Sequence, residues 1–428
     1  MRTLLCAVGA VVVSLLTACG SSNNNTTPAN MRTVNTTSTP ITTTLNGGYP
    51  LVGIASDTAS GYASIPPGTY TISVSSVNGS LNPSSQTVAL GTAENYTTIA
   101  FQRGNSAYTT TITDDLSIPA VGYTTLDVAN ASPDAGALDV YLLPPGTTSL
   151  SPGDSPNFAA VQGTQSPPAT FTTGSYNIIV TGAGNQGDVR LSIIGANGAG
   201  AVSFTSQQVA NLALTDTPGG TLVDGFVITQ GAGGGVVPYP NTMARVRLIS
   251  AVTTSSPPPT VGLTTAGGTA ISVAAPNSSG YKLVSGGDSV ATMTVGGAAI
   301  TAPAGTFVAG NDYTVMAYTS GGTNVATILT DNNQIRAVSA SVRVINGSVS
   351  PADGITVYYG GVPIANQVQL GAASAYYGVQ PSSSAVLSAN GSGYSYAGAQ
   401  PAFDPPVGSV WSIFVYSNSS VVQLFRDR

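Results

Sequence analysis

The 428-residue chain has no histidine, one lysine (Lys282), one glutamate (Glu94) and two cysteines (Cys6 and Cys19). Each shortage closes off some chemistry. Without histidine there is no serine–histidine nucleophile pair, and zinc lacks its usual nitrogen ligand as well as a pair of free thiols. Lysine and glutamate normally fill the exposed faces of helices, so their near absence argues against long amphipathic helices. Only 7% of the residues are charged and the net charge is −6. No basic patch, arginine cluster or aromatic-basic interleaving is visible along the chain, so nucleic acid is not an expected partner. No cofactor is expected either.

What remains is rich in Ser, Thr, Asn, Val, Gly and Ala. That is an all-β composition of an extracytoplasmic kind, with strand faces built from small hydroxyl and amide side chains. The length allows several domains of roughly 100 residues, enough for an ordinary core in each.

The first nineteen residues read MRTLLCAVGAVVVSLLTAC. Arg2 is followed by an apolar run over 4–16, too short for the about 20 residues that span a bilayer and suited to a cleaved signal. The run ends in Leu16-Thr17-Ala18-Cys19. This resembles the bacterial lipoprotein box, which implies a signal peptide over 1–18 and lipid, palmitate included, on Cys19. Cys6 would leave with the signal, so an intramolecular disulfide is excluded in the mature chain. Several acyl chains on Cys19 would anchor the protein to a membrane. Gly20 stands where Asp would retain an enteric lipoprotein at the inner membrane, so the expected destination is the outer membrane of the cell envelope. Residues 19–30 read as a flexible tether.

Beyond the tether the chain repeats. The stretch 126–143, LDVANASPDAGALDVYLL, alternates on both sides of a Ser132-Pro133-Asp134-Ala135-Gly136 turn cluster. That pattern is strand, turn, strand. Looser copies begin at Met31, Ala244 and Ser341. Asn35, Asn130, Ser250 and Asn346 close the four opening strands. Each unit later carries two β-rich runs around a short turn, as at Arg103-Gly104-Asn105-Ser106 and Ser320-Gly321-Gly322, a hairpin signature. The expected architecture is four tandem antiparallel β-sandwich modules, immunoglobulin-like or transthyretin-like, over 31–122, 123–240, 241–339 and 340–428. The expected linkers are 117–122, 231–240 and 334–339.

The run 128–141 (VANASPDAGALDVY), the Gly68-Thr69-Tyr70-Thr71-Ile72 and Asn311-Asp312-Tyr313-Thr314-Val315 strands and the Leu329-Thr330-Asp331-Asn332 ending resemble the repeats of the bacterial domain of unknown function 4397. The resemblance implies a sandwich fold on exported or lipid-anchored proteins, and it brings no catalytic residues.

Several constellations are candidates for chemistry. Lys282 is the only base for a Ser–Lys dyad, with no flanking motif. Gly393-Tyr394-Ser395-Tyr396-Ala397 lacks the last glycine of a nucleophile elbow. Asp114 and Asp115 are adjacent and on a strand would face opposite ways. Asp134 and Asp139 flank one turn and could share calcium, but read better as a turn former and a polar-face residue. Glycines 231–235 read as linker. Tyr358, Tyr359, Tyr376, Tyr377, Tyr394 and Tyr396 crowd into the last unit and are candidates for stacking on a glycan if they share an exposed face. The functional expectation is a non-enzymatic, lipid-anchored envelope protein acting as scaffold, adhesion or binding protein, with an envelope protein or glycan as partner. A glycan-binding module is the alternative and a carboxylate-dependent hydrolase the third reading. An outer-membrane barrel is disfavoured by the lipoprotein box and the lack of alternating spans of about 10 residues.

Overall fold

The structure, a computed structural model, describes residues 27–428 apart from 47, 164, 197–199, 232, 253–257, 348–353, 392–393, 398–402 and 417–420. Cys19, the signal peptide and most of the expected tether lie outside the described residues.

The described chain is all β, with its strands in eight sheets, two from each of four successive stretches. The first stretch sets the pattern. Its strands are β1 (Ala29–Asn35), β2 (Ile41–Leu45), β3 (Gly48–Ile54), β4 (Thr58–Ala59), β5 (Ala63–Ile65), β6 (Gly68–Ser76), β7 (Ser84–Leu90), β8 (Asn95–Arg103) and β9 (Ser106–Thr113). One sheet runs β4-β1-β8-β9, with β5 also on β1, and the other β3-β2-β6-β7. β1 is parallel to β8 and antiparallel to its other neighbours. An immunoglobulin sandwich keeps its first two strands in one sheet. Here β1 and β2 lie in different sheets, so the arrangement is the transthyretin-like one. The tether is shorter than expected, because Ala29 and Asn30 already pair in β1 with Ile65 and Ser64.

The same order recurs three times. The opening strands Tyr123–Asn130, Met243–Ala251 and Ala340–Gly347 run parallel to Val209–Asp216, Asp312–Ser320 and Val410–Tyr416. The closing strands Val223–Thr229, Thr323–Asp331 and Val421–Arg426 follow as hairpin partners. One segment read as linker departs from that reading. Val236–Tyr239 pairs antiparallel with Val223–Thr229 as a fifth strand, because its β-branched valines satisfy an otherwise open sheet edge.

The asparagines that close the opening strands have a physical role. Asn130 donates to the carbonyls of Gly136 and Val161 and accepts the amide of Ser132, so one buried side chain organises the turn from one sheet to the other. Asn35 does the same with Thr39, Ile54 and Thr37, and Asn346 donates to Val368. Ser250 holds this place in the third unit.

Each unit has its own core between its sheets, such as Leu126, Val128, Leu138, Val140, Ile178 and Leu212 in the second. The opening strands are buried on both faces, as Ala340–Gly347 is at every residue. Their second face is covered by a sister unit. Val34 and Ile99 pack with Ala129, Ala213, Phe226 and Ile228 between the first and second units. Ile249, Ala251 and Met316 pack with Ile345 and Phe414 between the third and fourth. The units are therefore joined in two pairs, sheet on sheet.

Candidate functional site

Most of the arginines bond across the places where the units meet, and the widest meeting point is the Ser132-Pro133-Asp134 turn. Asp134 is fully buried and takes both arms of Arg103, at 2.6 Å each, from the end of β8. It also accepts the backbone amide of Ile335 at 2.7 Å, from the segment between the third and fourth units. Arg103 in turn donates to the Ile335 carbonyl. Ser132 donates to Asp216, whose second oxygen lies 3.9 Å from Arg103. Arg428, near the end of the fourth unit, donates to the Gly220 carbonyl at 2.7 Å and reaches the Pro133 carbonyl of the turn at 3.5 Å. One turn thus ties together residues of all four units. The bidentate geometry makes Arg103–Asp134 a strong charge-assisted contact.

The hairpin loop of the second unit locks the pairs together. Gly219 donates to the Gly310 carbonyl at 2.8 Å and accepts from Asn333 at 2.9 Å. A Cβ at Gly219 would sit 2.8 Å from the Asp312 amide nitrogen, so only glycine fits this close backbone crossing. Arg245 clamps Asp312 with two bonds, at 2.8 and 2.6 Å, and reaches the Thr221 hydroxyl at 2.7 Å.

The face between the third and fourth units is a reciprocal exchange. Arg247 donates to Thr314 of its own unit at 2.8 Å, and to Ser412 at 3.0 Å and Asp427 of the other. Arg343 donates to Ser412 of its own unit at 3.0 Å, and to Asp331 at 2.6 Å and the Thr330 carbonyl at 3.2 Å of the other. Tyr281 covers Arg247 and donates to Asp331 at 2.5 Å, while the Tyr376 ring covers Arg343 at 5.1 Å. Burial pushes the Asp331 carboxyl up, but Arg343 and Arg247 beside it hold it below the usual carboxylate range.

The face between the first and second units has the same plan, changed on the side of the second unit. Arg32 occupies the place of Arg247 and Arg343, donating to Thr97 at 2.9 Å and across to the Thr229 carbonyl at 3.1 Å. Tyr62 and Thr97 donate to Asp114. The fourth such place, counted back from the landmark asparagine, is Asp127 rather than arginine. Asp127 is 2% exposed and is held by amides from Asn211, Gln165 and Gln230. Burial, with the charge of Asp114 nearby, pushes its carboxyl up to about 6 despite those bonds.

The sequence-level candidates scatter. Tyr359 is in the core, edge-on to Phe403, with its hydroxyl bonded to the Gln380 carbonyl. Tyr376 is committed to Arg343 and burial holds its hydroxyl above the usual range. Tyr358 is half-buried and Tyr377 exposed. The side chains of Tyr394 and Tyr396 lie outside the described residues. Tyr377 borders a shallow hollow with Asn366, Gln367 and Gln369. Lys282 is exposed on its strand. Asp139 accepts the amides of Ala160 and Gly184, both at 2.8 Å, whereas Asp134 accepts from Arg103 and Ile335, so the two carboxylates are bonded to different groups.

Two buried carboxylates do face each other, the feature the hydrolase reading requires. Asp216, beside Asp134, is pushed up to about 7 by burial and then by the Asp134 charge. It lines a cleft with Thr36, Gln102, Asn332 and Asp224, the last raised to about 6 by burial. Asp134 has no free oxygen to act with it.

The residues missed in the sequence are the arginines. They stand apart along the chain and form no run, yet parallel strand pairing and sheet-on-sheet packing bring Arg245, Arg247 and Arg343 into adjoining junctions. The available signal was their shared position three residues before the landmark Asn or Ser, at Arg32, Arg247 and Arg343.

A family model described as Domain of unknown function (DUF4397) matches residues 29–141. The match covers all of the first unit and the opening of the second, through the Ser-Pro-Asp turn. No curated protein matches the chain.

Proposed function

With residues 29–141 assigned to a domain family of unknown function, we propose that this protein is a non-enzymatic, lipid-anchored component of the bacterial cell envelope that acts as a scaffold or binding protein. The observation that carries this reading is where the strong ionic groups go. Arg32, Arg103, Arg245, Arg247, Arg343 and Arg428 all bond across unit junctions, and none of them lines the cleft beside Asp216 or the hollow beside Tyr377. Such wiring favours a stiff body over a reaction centre. The anchor is Cys19, placed by the apolar run and Leu-Thr-Ala-Cys that precede it, and the outer membrane is the destination. Metabolic labelling with palmitate and membrane fractionation test the reading. Wild type carries label and sediments with membranes, and Cys19→Ser loses both. Unlabelled, soluble wild-type protein contradicts it. Protease shaving of intact cells then reports which side the units face.

A glycan-binding role is the second reading. It rests on the hollow where exposed Tyr377 stands beside the amides of Asn366 and Gln367, an aromatic and amide pairing suited to a sugar ring. Binding on a glycan array that Tyr377→Ala abolishes supports it, and a blank array retires it.

A further inference from the structure

The two sheet-on-sheet faces share a plan, so one can be read against the other. Between the third and fourth units, Arg343 places its guanidinium on Asp331, and Asp331 also accepts from Tyr281 and Thr314. Between the first and second units, Asp114 accepts from Tyr62 and Thr97 in the same way. The side chain that would supply the guanidinium is Asp127. A carboxylate therefore stands where its counterpart has a cation. The third-to-fourth face holds Arg247 and Arg343 against Asp331 and Asp427, and its charges cancel. The first-to-second face holds Arg32 alone against Asp114 and Asp127, an excess of one negative charge.

Unmet oxygens lie on the same face. The second oxygen of Asp114, the side-chain oxygen of Asn211 and that of Gln230 are buried and have no hydrogen-bond partner. These three residues are 5%, 0% and 8% exposed. Asn211 and Gln230 turn their amide nitrogens to Asp127, so their oxygens lie close to that carboxylate. Gln165 bridges the two sides, donating to Asp127 at 2.6 Å and to the carbonyl of Thr113, the neighbour of Asp114, at 2.9 Å. A buried oxygen without a partner is costly, and several in one place call for a shared one.

We propose that the face between the first and second units binds one hard metal cation between Asp114 and Asp127, with the side-chain oxygens of Asn211 and Gln230. All four donors are oxygens, the set that hard cations select. A proton shared by the carboxylates would leave both amide oxygens unmet. Gln230 also lines an open surface cleft with Leu116, Ser203 and Gln208, which gives an ion a way in. A sodium ion balances the face and a calcium ion leaves one positive charge, so the choice between them is a matter for titration.

The test is thermal unfolding of the mature protein at pH 8 in a chelator and a bulky organic cation, with NaCl, KCl or CaCl2 added separately at constant ionic strength. One of these salts raises the Tm of the wild type saturably, as a ligand bound only by the folded state must. The response is lost in Asp127→Asn and in the double variant Asp127→Arg/Gln230→Asp, which rebuilds the arginine–aspartate pattern of the other face. It is weakened in Gln230→Leu, which keeps both carboxylates and serves where Asp127→Asn does not fold. A wild type indifferent to all three cations, or an equal response in Asp127→Asn or Gln230→Leu, overturns the proposal.

Discussion

The two sheet-on-sheet faces differ in the second unit, where Asp127 stands in place of arginine at the third residue before the landmark asparagine or serine and Gln230 stands in place of Asp427 after the closing strand. Between the third and fourth units every buried charge has an opposite partner, and Asp331 is held below the carboxylate range. Between the first and second units Asp114 and Asp127 are both raised, with burial the main cause in each. The apolar halves of the faces are both clusters of aliphatic side chains around a buried phenylalanine, Phe226 in one and Phe414 in the other, the second bordered by further aromatics at Tyr318, Tyr416 and Phe425. Hydrophobic packing holds both pairs together, and the ionic half decides under what conditions they hold.

Breaking the balanced face carries the largest expected effect. Arg343→Ala leaves Asp331 buried without its closest charged partner and costs about 3–5 kcal/mol, read as a lower urea midpoint with an unchanged slope. Asp134→Ala at the four-unit turn strands Arg103 in the same way and is expected to cost about 3 kcal/mol. In that variant, amide exchange should quicken at Ile335 before it does in the sheets. Gly347→Ala is smaller. Its Cβ would lie 2.4 Å from the Ala251 Cβ across the third-to-fourth face, an overpacking that costs about 1–3 kcal/mol. It should leave the first pair of units untouched. Tyr377→Ala, at an exposed ring, is expected to change stability by less than about 0.5 kcal/mol. A larger change there would mean that the ring belongs to a junction.

Much of the fold was legible because it follows from alternation and turn chemistry. The stretch 126–143 gave both its strands and its turn, and Asn35, Asn130 and Asn346 marked where each unit crosses between sheets. The choice between sandwich types was not legible, since it depends on which strands pair, and parallel pairing of β1 with β8 leaves no local trace. The junctions were hidden for a related reason. In A-R-V-R-L-I and S-V-R-V-I-N the arginines occupy the alternate positions that ordinarily face water, and only the sister unit makes that face an interior. Asp134 shows both sides of this. Its part in the turn could be read from Ser-Pro-Asp, whereas Arg103 and Ile335, its partners, lie 31 and 201 residues away. The last-unit tyrosines misled because strand composition crowds them in sequence, while the pleat sends Tyr358 and Tyr359 to opposite faces.

The two faces share one plan with different charge balance, neutral on one and negative on the other, and proton linkage separates them. Asp127 is raised in the folded state, so its protonation stabilises the fold. That contribution is full below its unfolded pKa of about 4 and lost as pH rises through about 6, amounting to about 3 kcal/mol. Asp331 is lowered, so its contribution is present above the unfolded pKa and lost as pH falls through the folded one. The measurement is the unfolding free energy of the mature protein from pH 4 to pH 8 in chelator and without added metal, for wild type, Asp127→Asn and Asp331→Asn. Asp127→Asn should be the more stable protein at pH 8 and should flatten the decline above pH 5. Asp331→Asn should be destabilised, most of all at high pH. Two variants with pH profiles shifted in the same direction would contradict the account.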